Sequence, residues 1–311
     1  MNAEQENMTE STQPSGAPAA REGEWVGFSL SRVWAIAETT FTEAVRQKVY
    51  NILIVFALIV IASASFFSQF GTEEQLKFMK DFCLGAVSVF GTMIAIIGTA
   101  LLLPSEVENR TIYTILSKPV RRFEFLLGKY MGSVLLIFVS LLLMSIMFGA
   151  ALAFKEQRMV SALHQQSSGV PLTEEQKQEV HATVRQIRAE AFDPDLVKAA
   201  LLILVKLALL AAITLLVSTF STSMIFNVIV AVMVLIAGHL VGSAREMWGD
   251  SAVVRWLLAI VPDLGSFNVA DDIVLGNPIS WVHVAKVVVY GLGYLACVVA
   301  AAHFIFSDRE I

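Results

Sequence analysis

The chain has 311 residues, 56% of them hydrophobic and only 16% charged, with a mean hydropathy of +0.68 and a formal net charge of −5. Soluble globular domains are about half apolar and about a quarter charged, so this composition excludes an ordinary soluble enzyme, and no basic stripe points to nucleic acid. The two cysteines, Cys83 and Cys297, fall inside apolar runs and read as buried free thiols, which excludes a disulfide framework or a metal cluster.

Residues 1–27 are polar and rich in Ser, Glu, Pro and Gly, which predicts a disordered tail and no signal peptide. Over 28–49 the pattern becomes helical. Leu30, Val33, Trp34, Ala37, Phe41, Ala44 and Val45 share one side; Arg32, Glu38, Thr39, Glu43, Arg46 and Gln47 take the other. That spacing predicts an amphipathic helix lying along a membrane surface.

The remainder, 50–311, reads as one transmembrane domain. Its apolar residues gather in six runs: 50–67, 82–103, 131–154, 197–220, 226–241 and 282–306. A helix of about 20 residues crosses a hydrocarbon core about 30 Å thick. Backbone amides in lipid must bond within their own segment, so the runs are predicted to be helices. The fifth is the shortest. A further stretch, 252–261, is too short to span and contains Arg255, so it reads as an interfacial or re-entrant helix. Gly85, Gly91 and Gly98 in the second run, and Gly291 and Gly293 in the sixth, suit close helix packing.

Between the second and third runs, 104–130 is the most patterned segment. Ser105 and Glu108 form a capping box. Val107, Ile112, Ile115 and Leu116 share an apolar face, and Pro119 ends the helix by pushing Lys118 out of the helical region. A second helix starts near Arg121. The prediction is helix, break, helix: a stiff elbow outside the lipid. After the third run, 155–195 is hydrophilic and predicts a helical hairpin. Thr173 and Gln176 open a helix toward Ala191, and Asp193–Pro194 start the fourth span.

Orientation follows Lys and Arg near short loops. The elbow carries Arg110, Lys118, Arg121, Arg122 and Lys129, and Arg46 and Lys48 precede the first span, against Lys77 and Lys80 on the opposite side. The elbow is therefore expected inside the cell and the 155–195 hairpin outside, and six spans put both termini in the cytoplasm. The expected fold is all-α and polytopic: six transmembrane helices, an N-terminal interfacial helix, a cytoplasmic elbow and an external hairpin.

Catalytic signatures are missing from the sequence. It has no GxxxxGK[ST] phosphate loop and no HExxH. The histidines are scattered, and Asp271–Asp272 is a lone acidic pair in an external loop. Lys206 differs, because it lies about nine residues into the fourth run. A charge at that depth marks a polar pathway, or else its long stem snorkels to the outer interface.

Ser105-Glu106-Val107-Glu108-Asn109-Arg110-Thr111 resembles the SExExxT stretch of type-2, export-type ATP-binding-cassette (ABC) permeases. Residues 118–129, with Pro119, Arg122, Glu124 and the run Phe125-Leu126-Leu127-Gly128-Lys129, resemble their following stretch. Residues 40–48 resemble the helix before their first span, and 261–268 the loop before their last. The resemblance implies an ABC exporter permease subunit in the bacterial cytoplasmic (inner) membrane, without an ATPase site of its own. It would pair with a second permease copy, as homo- or heterodimer, and rest on separate cytoplasmic ATPase subunits. ATP and magnesium would sit on those subunits, so no cofactor is expected in this chain. The elbow would be the coupling helix, with Glu106, Glu108, Arg110, Thr111, Pro119, Arg121, Arg122 and Glu124 as its coupling residues; the same charges could instead anchor the helices at the headgroups. The 155–195 hairpin departs from the family pattern, and is either a docking site for a periplasmic partner or a plain insertion. Two other classes stay open. An ion-driven secondary transporter would need intramembrane acids or paired broken helices, and the runs show no central Asp or Glu. A membrane scaffold or intramembrane enzyme would need a clustered polar site.

Overall fold

The computed structural model describes residues 28–66, 72–102, 104, 121–167, 174–191, 193–248 and 260–307. Most of the elbow (105–120), the 1–27 tail and most of the 252–261 stretch lie outside them. All regular structure among the described residues is helical. The helices are α1 (Leu30–Arg46), α2 (Lys48–Ser63, continued by a 3-10 turn), α3 (Thr72–Ala100), α4 (Arg122–Ser167), α5 (Glu174–Ala191), α6 (Asp195–Phe220), α7 (Met224–Trp248), α8 (Ala270–Leu275) and α9 (Trp281–Ser307). Six candidate spans, in α2, α3, α4, α6, α7 and α9, are long and apolar enough to cross a membrane.

The helices run further than the apolar runs. The fifth span is not short: α7 has 25 residues, because Gly242 to Trp248 continue the helix past the last lipid-like residue. α3 starts ten residues before its run, so Lys80 belongs to a helix and not to a loop; it is buried and pairs with Asp193 at 3.6 Å. α4 does not stop where the charges begin at Lys155. No Gly or Pro interrupts it there, Arg158 stacks over Phe154 one turn back, and Arg188 of α5 binds Glu156 at 3.1 Å. α5 ends at Ala191 and packs on this extension. α6 begins at Asp195, one residue after the expected proline, with Asp193 Oδ1 accepting from the Asp195 amide at 2.9 Å.

The hub is α6. In its span 72% of the apolar window is buried, against 17–28% for α2, α7 and α9, so those three leave their outer faces to lipid or to partners. α3, α4, α7 and α9 all pack on it. Cys83 is buried in this core as expected, whereas Cys297 lies on an exposed face of α9.

α1 departs from a simple surface helix. Its pattern divides into two apolar stripes. Val33, Ala37, Thr40 and Ala44 are buried, at helical spacing, against the start of α4. Leu30 and Trp34 are exposed. The approach is close because α4 offers Gly128 and Gly132: a Cβ on Gly132 would stand 2.6 Å from Thr40 and 2.8 Å from the Ala37 carbonyl.

Candidate functional site

Two regions carry chemistry, at different levels of the bundle. The first is the joint where the chain enters α4. Glu106, Glu108, Arg110, Thr111 and Pro119 lie outside the described residues, but Arg122 and Glu124 are in the first turn of α4 and Arg121 immediately precedes it. Glu124 is the third residue of that helix, the position from which a carboxylate reaches back to free amides. Here it accepts from the Arg121 amide at 3.4 Å. It also binds α1: Arg32 approaches it side-on, Nε to Oε2 at 2.9 Å and Nη2 to Oε1 at 2.8 Å, and the Ser29 amide donates at 2.8 Å. A forked Arg–carboxylate pair with added amide donors fixes geometry as well as charge. The Glu124 side chain is fully enclosed. Arg122 donates to the Phe306 carbonyl of α9 at 3.3 Å, and Phe125 stacks on Phe306. Arg121 is exposed. The residues expected to couple thus divide: Arg121 faces outward, while Arg122 and Glu124 clamp α1, α4 and α9 into one unit. The sequence reading placed Arg32 only on a polar helix face; its partner is 92 residues away, and no local signal shows that.

The second region surrounds Lys206. At 1.5 Å per residue it lies about 17 Å from the start of α6. Its stem does not run to the lipid boundary. The side chain is 5% exposed, and its Nζ meets Ser88 Oγ of α3 and His239 Nε2 of α7, each at 3.3 Å. The histidine tautomer follows from its second contact. Nδ1 faces the Leu235 carbonyl at 2.9 Å, which can only accept, so Nδ1 carries the proton and Nε2 accepts from the ammonium. No carboxylate pairs with Lys206 among the described residues. Two cavities meet at this lysine. One, about 210 Å³, is lined by Asp81, Ser88, His239, Asn268 and Asp271. The other, about 330 Å³, lies between α3 and α7 and is almost wholly apolar, with Val89, Met93, Ile96, Val228, Val232 and Leu235 along it.

The polar cavity owes its wall to irregular backbone at 262–269. The Leu264 amide bonds the Gly238 carbonyl at 3.0 Å, and a Cβ on Gly238 would meet Leu264 at 2.7 Å. Gly238 lies ten residues, about 15 Å, inside the tip of α7. The loop therefore reaches below the helix ends. It can do so because its amides find protein partners: Asp263 N donates to Tyr290 Oη at 2.8 Å, and Gly265 N and Ser266 N to Asp263 Oδ1. Non-helical backbone at that depth is tolerated where protein or a cavity surrounds it. At the same end of the bundle, Asp195 accepts from the Ile279 amide at 2.8 Å and from Lys198, whose Nζ also reaches the Ile279 carbonyl at 2.7 Å; this ties the start of α6 to the segment before α9. Asp271, expected in an external loop, lies in the first turn of α8 and stands on the cavity wall. Among the described residues no group of three or more His, Cys, Asp or Glu could hold a metal ion.

A family profile described as "ABC-2 family transporter protein" matches residues 37–305. The chain belongs to the ABC-2 transporter family. The match takes in the Lys206 cavities and the α4 side of the joint, Arg122 to Phe125, while Ser29, Arg32 and Phe306 fall just outside it. A comparison with curated proteins returns no match. As a member of this family the permease is a membrane transport component, and its family works in general with an ATPase partner and as a dimer.

Proposed function

We propose that this permease is one half of an exporter in a bacterial cytoplasmic membrane, with both termini in the cytoplasm and ATP hydrolysed on a separate subunit. The observation that carries the reading is the joint at the elbow's exit. The segment 105–120 returns into α4 at a turn that Glu124, Arg32, Arg122 and Phe306 bind to two other helices. A push on the elbow would therefore move α1, α4 and α9 together instead of bending one loop. In this scheme Arg121 and the elbow charges Glu106, Glu108 and Arg110 meet the ATPase, while Glu124 positions α1. The exposed Phe28, Leu30 and Trp34 sit in the headgroup layer, where aromatic and aliphatic side chains anchor an amphipathic helix. α5 with the end of α4 forms the external hairpin.

The test is Glu106→Lys in the full chain, with Arg185→Glu on the exposed face of α5 as control. Removing one member of a desolvated interfacial charge pair costs about 2–5 kcal/mol, a rim charge far less. Glu106→Lys should leave the permease folded yet weaken co-purification with its ATPase or uncouple hydrolysis from transport, and Arg185→Glu should change neither. The purified permease alone should hydrolyse no ATP. Silent elbow variants beside an α5 variant that abolishes ATPase binding would overturn both the coupling role and the orientation.

A further inference from the structure

Among the described residues the Lys206 region holds a buried cation without a counter-ion, placed where a polar cavity meets an apolar one. A lysine ammonium has three donors, and two are engaged, by Ser88 and His239. One N–H is left for an occupant. A charge at this depth is costly unless it faces protein, water or a partner of opposite sign. The apolar cavity lies between α3 and α7 and opens on the outer surface of the bundle, where Val89 and Met93 along it are exposed. The polar cavity has Asp81 and Asp271, both exposed, on its wall. The order of surfaces is therefore apolar groove, cation, then acids. At about 210 and 330 Å³ the two spaces together reach the size of ordinary ligand sites.

We propose that these cavities bind a single-chain amphiphile with a zwitterionic head: the chain in the α3–α7 groove, the anionic group on Lys206, and the amine toward Asp81 and Asp271. The proposal deepens the exporter reading, on which it rests for calling this amphiphile the transported class. A purely apolar occupant would leave the ammonium uncompensated. A soluble anion would leave the groove unused, and a dianion would meet the acidic wall. His239, held in the Nδ1–H tautomer by Leu235, adds no charge and orients the lysine.

The experiment uses the full-length permease, without ATPase, in phosphatidylcholine nanodiscs. The probe is lysophosphatidylethanolamine with a photoactivatable group in its chain. Labelling should map to α3 and α7. Lys206→Met should lower it about tenfold or more, whereas Lys206→Arg should keep most of it. On the wild type, unlabelled lysophosphatidylethanolamine should compete about tenfold better than monoacylglycerol of the same chain, and lysophosphatidic acid should fall between them. Equal labelling of wild type and Lys206→Met, or equal competition by monoacylglycerol, would overturn the proposal and leave the groove as ordinary lipid contact. If Lys206→Met fails to fold, the head-group competition on the wild type decides. Binding is read without ATP or ATPase, so its failure leaves the coupling reading intact, and a silent Glu106→Lys would leave the binding result intact.

Discussion

Replacing Gly132 by alanine tests how α1 is held. A single methyl group would be added, 2.6 Å from Thr40 Cβ and 2.8 Å from the Ala37 carbonyl oxygen. Ordinary contacts begin near 3.4 Å, so α1 must retreat by the difference, about 0.8 Å. Rotating the threonine would move its Cγ2 but not its Cβ, and the carbonyl belongs to helix backbone and cannot turn away. Overpacking of this kind costs about 1–3 kcal/mol. Against it stands the gain from replacing Gly by Ala within a helix, about 1 kcal/mol, which leaves a net loss of up to about 2 kcal/mol. A rigid retreat of that size would also stretch the 2.8 Å Arg32–Glu124 contact beyond hydrogen-bonding range. Gly149, on the same helix, has nothing within 4 Å of its added Cβ. Gly149→Ala should therefore be neutral or stabilising by up to about 1 kcal/mol. The assay is thermal unfolding of the purified chain, with hydrogen exchange of α1 read alongside. Two glycines of one helix should move in opposite directions, and only Gly132→Ala should speed exchange in α1. Equal stability of the two variants with unchanged protection of α1 would refute the packing argument.

Arg32→Gln and Glu124→Gln should each destabilise the attachment of α1, and the double variant should lose less than the two losses added; a strictly additive cycle in thermal unfolding would show that the pair is not coupled. Asp195→Ala should leave the Ile279 amide and the buried Lys198 without their acceptor, costing about 1–3 kcal/mol for the amide alone and raising proteolysis at 276–280; an unchanged cleavage rate would remove this clamp from the account. Single cysteines at Asn109 and Arg309 should label from the cytoplasmic side and at His181 and Arg185 from outside, and the reverse pattern would invert the assignment.

The six spans were legible because each is a long apolar run, and a run of that length in lipid that bonds its backbone amides within its own segment is a helix. Their ends were less legible. Hydropathy marks where lipid-like residues stop, not where hydrogen bonding stops, so α3, α4 and α7 run past their apolar limits into Lys80, Arg158 and Arg245. α1 was recognised as amphipathic, but its apolar side was read as one face. Leu30 and Trp34 are separated from Val33 and Ala37 by rotation too small for pattern to divide; only the glycine pair on α4 decides which stripe is buried. That pair, four residues apart, was within reach of a search for small-residue spacing. Lys206 stood out because a charge inside an apolar run is rare, yet its surroundings did not. Ser88, His239 and Asn268 are ordinary residues in their own segments, brought to one depth by tertiary packing. The same holds for the loop before α9, whose depth depends on Gly238 and Gly291 admitting Leu264 and Phe267.

The joint and the cavity are connected by one element. α4 has 46 residues without a proline, about 69 Å at 1.5 Å per residue, more than twice the thickness of a hydrocarbon core. Its first turn carries Glu124 and Arg122. Six residues on, Tyr130 donates from its buried hydroxyl to the Ala208 carbonyl of α6 at 3.1 Å, two residues from Lys206. Leu136, nearly two turns further, fills the space beside Gly98 of α3, the helix that supplies Ser88. A displacement of the first turn is passed along α4, whose helix runs unbroken by proline. It reaches α6 and α3 through these contacts. Those two helices, with α7, enclose Lys206, so in the proposed scheme a push at the elbow would arrive where the cation, the groove and the acidic wall meet.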